Sequence, residues 1–218
     1  MARYLTRELD KIKKKILYLC AMVEERVHLT SQAVQNKDAD IAQKIINSDW
    51  EIDEMEVEVE EECLKILALH QPVAVDLRFL VALIKINNDL ERIGDQAVNI
   101  AERVLTISKR PEMGFVFDYG PMAEKAGAML KMSLDALVGM DVDLAFKVIT
   151  LDDEVDDIKT EAYDRVKAAI NKNPERVGYL INLLLISRHI ERLADHATNI
   201  AEEVIYLIEG EIVRHEKY

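Results

Sequence analysis

Four pairs in which an acidic residue is followed, four positions on, by an aspartate stand out in this chain: Asp49/Asp53, Glu91/Asp95, Asp152/Asp156 and Glu191/Asp195. Residues four apart on a helix share a face one turn apart, so each pair sets two carboxylates side by side. Like charges so placed cost about 0.2–0.5 kcal/mol per pair. A helix built for stability alone would carry Lys or Arg there. Between Asp49 and Glu62, nine of fourteen residues are acidic and none is basic. Something else must offset that repulsion, and a hard cation would do so. Asn99 and Asn199 follow their aspartates at the same spacing, and Asn88, Glu91, Asp95, Asn99 and Glu102 form one stripe. The candidate metal ligands are therefore Asp49, Asp53, Glu91, Asp95, Asn99, Asp152, Asp156, Glu191, Asp195 and Asn199. Carboxylate and amide oxygens suit Mg²⁺, Ca²⁺, Mn²⁺ or iron better than structural zinc, although spacing does not separate Fe, Mn, Mg, Ca and Zn. A solvated acidic face is the competing reading. Fourfold recurrence at matching positions weighs against it.

Helices must position these groups. Leu5, Leu9, Ile12, Ile16, Leu19, Val23 and Val27 recur at steps of three and four, which predicts an amphipathic helix over about 3–35. Asp38 caps a short helix ending near Asn47, and a third helix runs over about 48–69. His70-Gln71-Pro72 breaks the chain before a long helix over about 73–109. Residues 109–121, with Pro111, Gly114, Gly120 and Pro121, read as a linker whose Phe115, Phe117 and Tyr119 pack on a bundle surface. The pattern then repeats: a helix over about 122–138, a short one over 142–150, another over 152–171, a break at Asn173-Pro174 and a long helix over 175–209.

The letters repeat as well. Glu91 to Glu102 matches Glu191 to Glu202 at an offset of 100, and Asp38, Asp49 and Asp53 match Asp141, Asp152 and Asp156 at 103. The chain is therefore expected to be all-α, two tandem similar bundles from an internal duplication: residues 1–110, a linker 111–121, and residues 122–218. If the helices bearing the pairs pack antiparallel, four carboxylates converge in each half. The stripe Leu90, Ile93, Ala97, Ile100 and Val104 is the core face, and Gly94 and Ala194 leave room for a close neighbour.

Other chemistry fits less well. A net charge of −13 repels nucleic-acid backbones and anionic lipid alike. Cys20 and Cys63 lie in helical segments without a CxxC, so two buried free thiols are expected rather than a disulfide or zinc. The N-terminus lacks the apolar run of a signal peptide, and no stretch of about 18 apolar residues is free of charge, so a soluble cytoplasmic protein is expected. A di-iron oxidase bundle needs two Glu-x-x-His motifs, and only Glu25-Arg26-Val27-His28 fits. No P-loop, GxSxG or HExxH occurs, and no enzyme is expected. His189 and His196 are either metal ligands or partly exposed surface residues. Arg3, Arg7, Lys11 and Lys15 form a basic stripe, either solvated or facing a partner or membrane.

The run Gln71-Pro72-Val73-Ala74-Val75-Asp76-Leu77-Arg78, followed by Asn88-Asp89-Leu90-Glu91-Arg92-Ile93-Gly94-Asp95-Gln96-Ala97-Val98-Asn99-Ile100-Ala101, resembles the signature of the PhoU family. The copy from Glu191 to Ala201 resembles its second occurrence. The resemblance spans nearly the whole chain. It implies two similar three-helix bundles, often as a homodimer, in a cytoplasmic protein that represses the phosphate-starvation response. It implies action beside the phosphate ABC transporter, through the transporter ATPase and a PhoR-type sensor kinase, with membrane contact only through those partners. It also implies multinuclear metal binding at the acidic pairs. A metal-dependent carboxylate-cluster enzyme and a metal or phosphate buffer are the alternatives. Asn173-Pro174-Glu175-Arg176-Val177-Gly178 departs from the signature, so a contact made by the Gln71–Arg78 run exists in only one half.

Overall fold

The computed structural model describes residues 2–111, 114 and 117–213, with side chains from Tyr4 onward. Among the described residues there are seven α-helices: α1 Ala2–Asn36, α2 Ala39–Asn47, α3 Trp50–His70, α4 Ala74–Ser108, α5 Gly120–Gly139, α6 Val142–Lys172 and α7 Val177–Glu209. No strand occurs among the described residues.

The punctuation is chemical. The Asp38 carboxylate accepts from the N–H groups of Asp40 and Ile41, and Asp141 accepts from Leu144, satisfying donors at the starts of α2 and α6. Gln71 ends α3 in the left-handed region at φ 46°, and Pro72 follows it. Before α7 the chain makes one 3-10 turn, Pro174–Arg176. α5 begins at Gly120 with Pro121 in its first turn, where proline's missing N–H does no harm. Phe117 and Tyr119 pack edge to face at 5.1 Å, and Tyr119 is buried; Phe115 lies outside the described residues.

One expectation is corrected. The short helix over 142–150 and the helix over 152–171 are a single element, α6. In the first half the chain breaks at Ser48, whose N–H and Oγ both donate to the Ile45 carbonyl at 3.3 and 3.2 Å. The Ser48 carbonyl accepts from the buried Arg26 guanidinium at 2.6 Å. At the equivalent positions stand Leu151, packed against the core, and buried Met129. Without a hydroxyl to turn the chain or a guanidinium to take the carbonyl, the helix continues.

Two similar three-layer bundles result: α1, α2–α3 and α4, then α5, α6 and α7. Leu90, Ile93, Ala97, Ile100 and Val104 are all buried, as the stripe requires. The buried apolar residues of both halves join in one continuous cluster. Between the halves, α4 packs on α7. Lys85 meets Glu203, Asp89 meets His196, and Gln96 meets His189, so the two long helices run antiparallel.

Within each half the acid-bearing helices are also antiparallel. Asn87 on α4 reaches Glu56 on α3, and Lys159 on α6 reaches Glu191 on α7. Gly94 sets the first crossing: a Cβ there would meet Ile52 at 3.2 and 3.3 Å. Val155 and Ala194 occupy the equivalent positions. One carbon lost from the larger residue is returned on the smaller, so the pair keeps its volume.

Candidate functional site: two acidic clusters

In the first half, Asp49 at the N-cap of α3 and Asp53 in its first turn come within electrostatic reach of Glu91 and Asp95 on α4. Burial first, then the Asp53 charge, raises the Asp49 carboxyl above its ordinary range; Asp95 adds to this from across the helix pair, and Arg26 opposes it. Glu91 is raised by burial first, then by Asp95, with Asp53 and Glu56 contributing from α3. Glu56 is raised by burial, then by Glu60 and Asp53. These mutual effects place five carboxylates in one neighbourhood: Asp49, Asp53, Glu56, Glu91 and Asp95.

The second half repeats the gathering with Asp152 and Asp156 on α6 and Glu191 and Asp195 on α7. Asp152 is raised by burial, then by Asp156, Asp153 and Glu191. Asp195 is pushed up to about 6, first by withdrawal of its carboxylate from water and then by Glu191, Asp152 and Asp156. A carboxyl so raised titrates near neutrality and competes with a metal for its own oxygens.

Counterions on α1 and on the acid-bearing helices themselves relieve part of this repulsion. Arg26 of α1 lies 3.5 Å from Asp49, and Lys15 of α1 lies 3.0 Å from Glu58. Arg92 lies 3.3 Å from Glu91 and 3.1 Å from Asp95. Lys159 Nζ donates to Glu191 Oε1 at 2.6 Å and lies 3.4 Å from Asp156 Oδ1. Lys159 was legible in one way only: it stands at the position equivalent to Glu56, offset by 103.

The donor set fits a hard cation. Glu91 Oε2 is buried and makes no hydrogen bond, with only the Arg92 Nε near it at 3.3 Å, and the carboxylates crowd one another. As the side chains stand, no group of three or more His, Cys, Asp or Glu among the described residues is arranged to hold an ion. Arg26, Arg92 and Lys159 hold the carboxylates toward themselves instead.

The amide nitrogens of the two asparagines are differently engaged. Asn99 Nδ2 donates to the Asp95 backbone carbonyl at 2.9 Å. Asn199 Nδ2 donates to Asp89 Oδ1 at 3.1 Å, across the boundary between the halves. His196 Nδ1 meets the same Asp89 oxygen at 2.8 Å, and His189 Nδ1 meets Gln96 Oε1 at 2.8 Å. Positions 89 and 96 are the counterparts of 189 and 196, so these are twin contacts about the axis relating the halves. Burial, then Arg103, lowers the His189 pKa.

Other functional groups fall into place. Cys20 and Cys63 are free and buried, and burial pushes both thiols up to about 12, so neither is a thiolate at neutral pH. In the basic stripe, Arg7 and Lys11 pair with Glu8, and Lys15 with Glu58; the Arg3 side chain lies outside the described residues. Buried Glu203 pairs with Lys85 at 3.1 Å between the halves. Beside the second cluster a cleft of about 630 Å³ is lined by Lys159, Tyr163, Ser187, Arg188, Arg192 and Asp195, among others. Among the described residues no helix is long and apolar enough to cross a membrane.

The PhoU domain family model matches twice, at residues 16–104 and 120–204, one match for each cluster-bearing half. This chain belongs to the PhoU family. The phosphate-specific transport system accessory protein PhoU homologue of Aquifex aeolicus is 35% identical over 212 residues, covering 97% of this chain and 96% of the relative. That of Pseudomonas aeruginosa is 35% identical over 210 residues, covering 95% and 86%. A crystal structure of PhoU from Pseudomonas aeruginosa superposes with a TM-score of 0.91 at 33% identity, covering 94% of this chain and 99% of that one. The phosphate transport system regulatory protein PhoU from Streptococcus pneumoniae gives 0.86 at 29% identity, covering 96% and 99%. The tandem helical architecture read from the letters is thus that of the PhoU family.

Proposed function

We propose that this chain is a regulatory adaptor of phosphate-specific transport that carries hard metal ions on its acidic clusters. The observation that carries the reading is the repeated antiparallel helix pair with four carboxylates drawn together, in a chain matched over nearly its full length by phosphate transport accessory proteins. A surface of net charge −13 repels phosphate and acidic partners. A cation held at Asp49, Asp53, Glu91 and Asp95, or at their counterparts Asp152, Asp156, Glu191 and Asp195, reverses that field locally. The bound face then accepts an anionic group of a partner, while rigid helices keep its position.

In this reading the partners are the ATPase of the phosphate ABC transporter and a PhoR-type sensor kinase. The chain works in the cytoplasm, as a homodimer, and represses the starvation response when phosphate is ample. No reaction is assigned to it. The test is deletion of the gene in a strain with a phosphate-starvation reporter. Derepression in high phosphate, restored by the intact chain but not by Glu91→Gln with Asp95→Asn, is expected. Full repression without the gene, in a strain with no paralogue, overturns the regulatory role. Co-purification with membrane transporter components separates an adaptor from a free metal buffer.

A further inference from the structure

We propose that Lys159 is the built-in cation of the second cluster, so that the chain loads metal on its first half and not on its second. This rests on the metal reading above. The repeat aligns Asp49 with Asp152 and Asp53 with Asp156 at an offset of 103, and the same offset aligns Glu56 with Lys159. One position in two otherwise matched clusters therefore carries opposite charges.

The geometry shows what that exchange does. The Lys159 ammonium touches one carboxylate from each acidic pair, Asp156 on α6 at 3.4 Å and Glu191 on α7 at 2.6 Å. It stands between the two helices, where a shared metal would stand, and takes the oxygens that metal would need. A dication entering there meets a like charge at contact distance and must displace a lysine already neutralised in place.

No ion pair bridges α3 and α4 in the first half among the described residues. Arg92 pairs with Glu91 and Asp95, both on its own helix, and its side chain is half exposed. Arg26 approaches Asp49 from α1. At the bridging position Glu56 presents a carboxylate instead, steadied by buried Asn87, whose Nδ2 donates to the Glu56 carbonyl at 2.9 Å and lies 3.3 Å from its Oε1. Glu91 Oε2 is buried with no hydrogen bond, its one near cation being the Nε of Arg92 on the same helix at 3.3 Å. The first cluster's cations each pair with a single side of the helix pair, Arg26 with Asp49 and Arg92 with Glu91 and Asp95; only in the second cluster does one cation pair with both sides.

The test is Mn²⁺ titration of the full, chelator-stripped chain by calorimetry. The wild type is expected to bind Mn²⁺ and to lose all of it in Glu91→Gln with Asp95→Asn. Lys159→Glu is expected to roughly double the bound Mn²⁺, and half should then survive the Glu91/Asp95 substitutions. Glu56→Lys should abolish binding to the otherwise natural chain. Lys159→Gln, which removes the charge without adding an acid, carries the test should Lys159→Glu fail to fold. Mn²⁺ persisting in the Glu91/Asp95 variant with Lys159 in place overturns the proposal, as does a folded Lys159 variant with unchanged stoichiometry. A wild type that binds nothing beside a Lys159→Glu variant that binds sinks the metal reading for the natural chain while supporting the blocking lysine. Neither protein binding sinks both.

Discussion

Asp195→Asn should stabilise the metal-free chain at neutral pH and leave it unchanged in acid. Asp195 titrates at about 6 in the fold against an ordinary 3.8, because its carboxylate is partly withdrawn from water beside Glu191, Asp152 and Asp156. At about 1.4 kcal/mol per pH unit, the unscreened destabilisation of its charged form is about 3 kcal/mol. The residue is exposed, so solvent screening reduces this to about 1 kcal/mol. The sign follows from proton linkage. The fold binds the Asp195 proton more tightly than the unfolded chain does. This group's contribution is therefore fully present below pH 3.8 and lost as pH rises through about 6. Asn carries no charge at any pH. The stability difference between variant and wild type should thus grow from near zero at pH 4 to about 1 kcal/mol above pH 7. Urea unfolding followed by circular dichroism, in chelator and across that range, measures it. A variant less stable than wild type at pH 7.5, or a difference that does not change with pH, would refute the reasoning.

Two further outcomes are expected. Gly94→Ala gains about 1 kcal/mol of helix propensity but overpacks Ile52 by about 1–3 kcal/mol, so Ile52→Val should be less harmful in the Gly94→Ala background than in wild type. A double-mutant cycle by urea unfolding should give about 1 kcal/mol of coupling, and strict additivity would show that the close contact carries no strain. Cys20 and Cys63, buried with thiols raised to about 12, should resist a thiol reagent at pH 7.5 in the folded chain and react at once in urea. Rapid labelling of the native protein would contradict their burial.

Local chemistry announced most of the fold. Asp38 and Asp141 cap helices because a short carboxylate reaches the free N–H groups just ahead of it, and Pro72 and Pro174 end helical runs by steric necessity. The repeat of Glu91 to Glu102 in Glu191 to Glu202 announced two similar halves and the acid pairs in each. The continuity of α6 was not legible, because the first-half break depends on Arg26, a residue of another helix more than twenty positions away, and on Met129 in its counterpart. The counterions of the acidic run were hidden for the same reason.

Apart from the continuity of α6, helix positions, their caps and the face on which each acid sits follow from interactions spanning four residues or fewer, and the chain's own order of residues decides those. Antiparallel packing of α4 on α7 decided the rest: it brought Asn199 to Asp89 and set His189 against Gln96. Packing of α6 on α7 likewise placed Lys159 among the second set of acids. Charges interact through space, and distance through space exists only once the helices have docked.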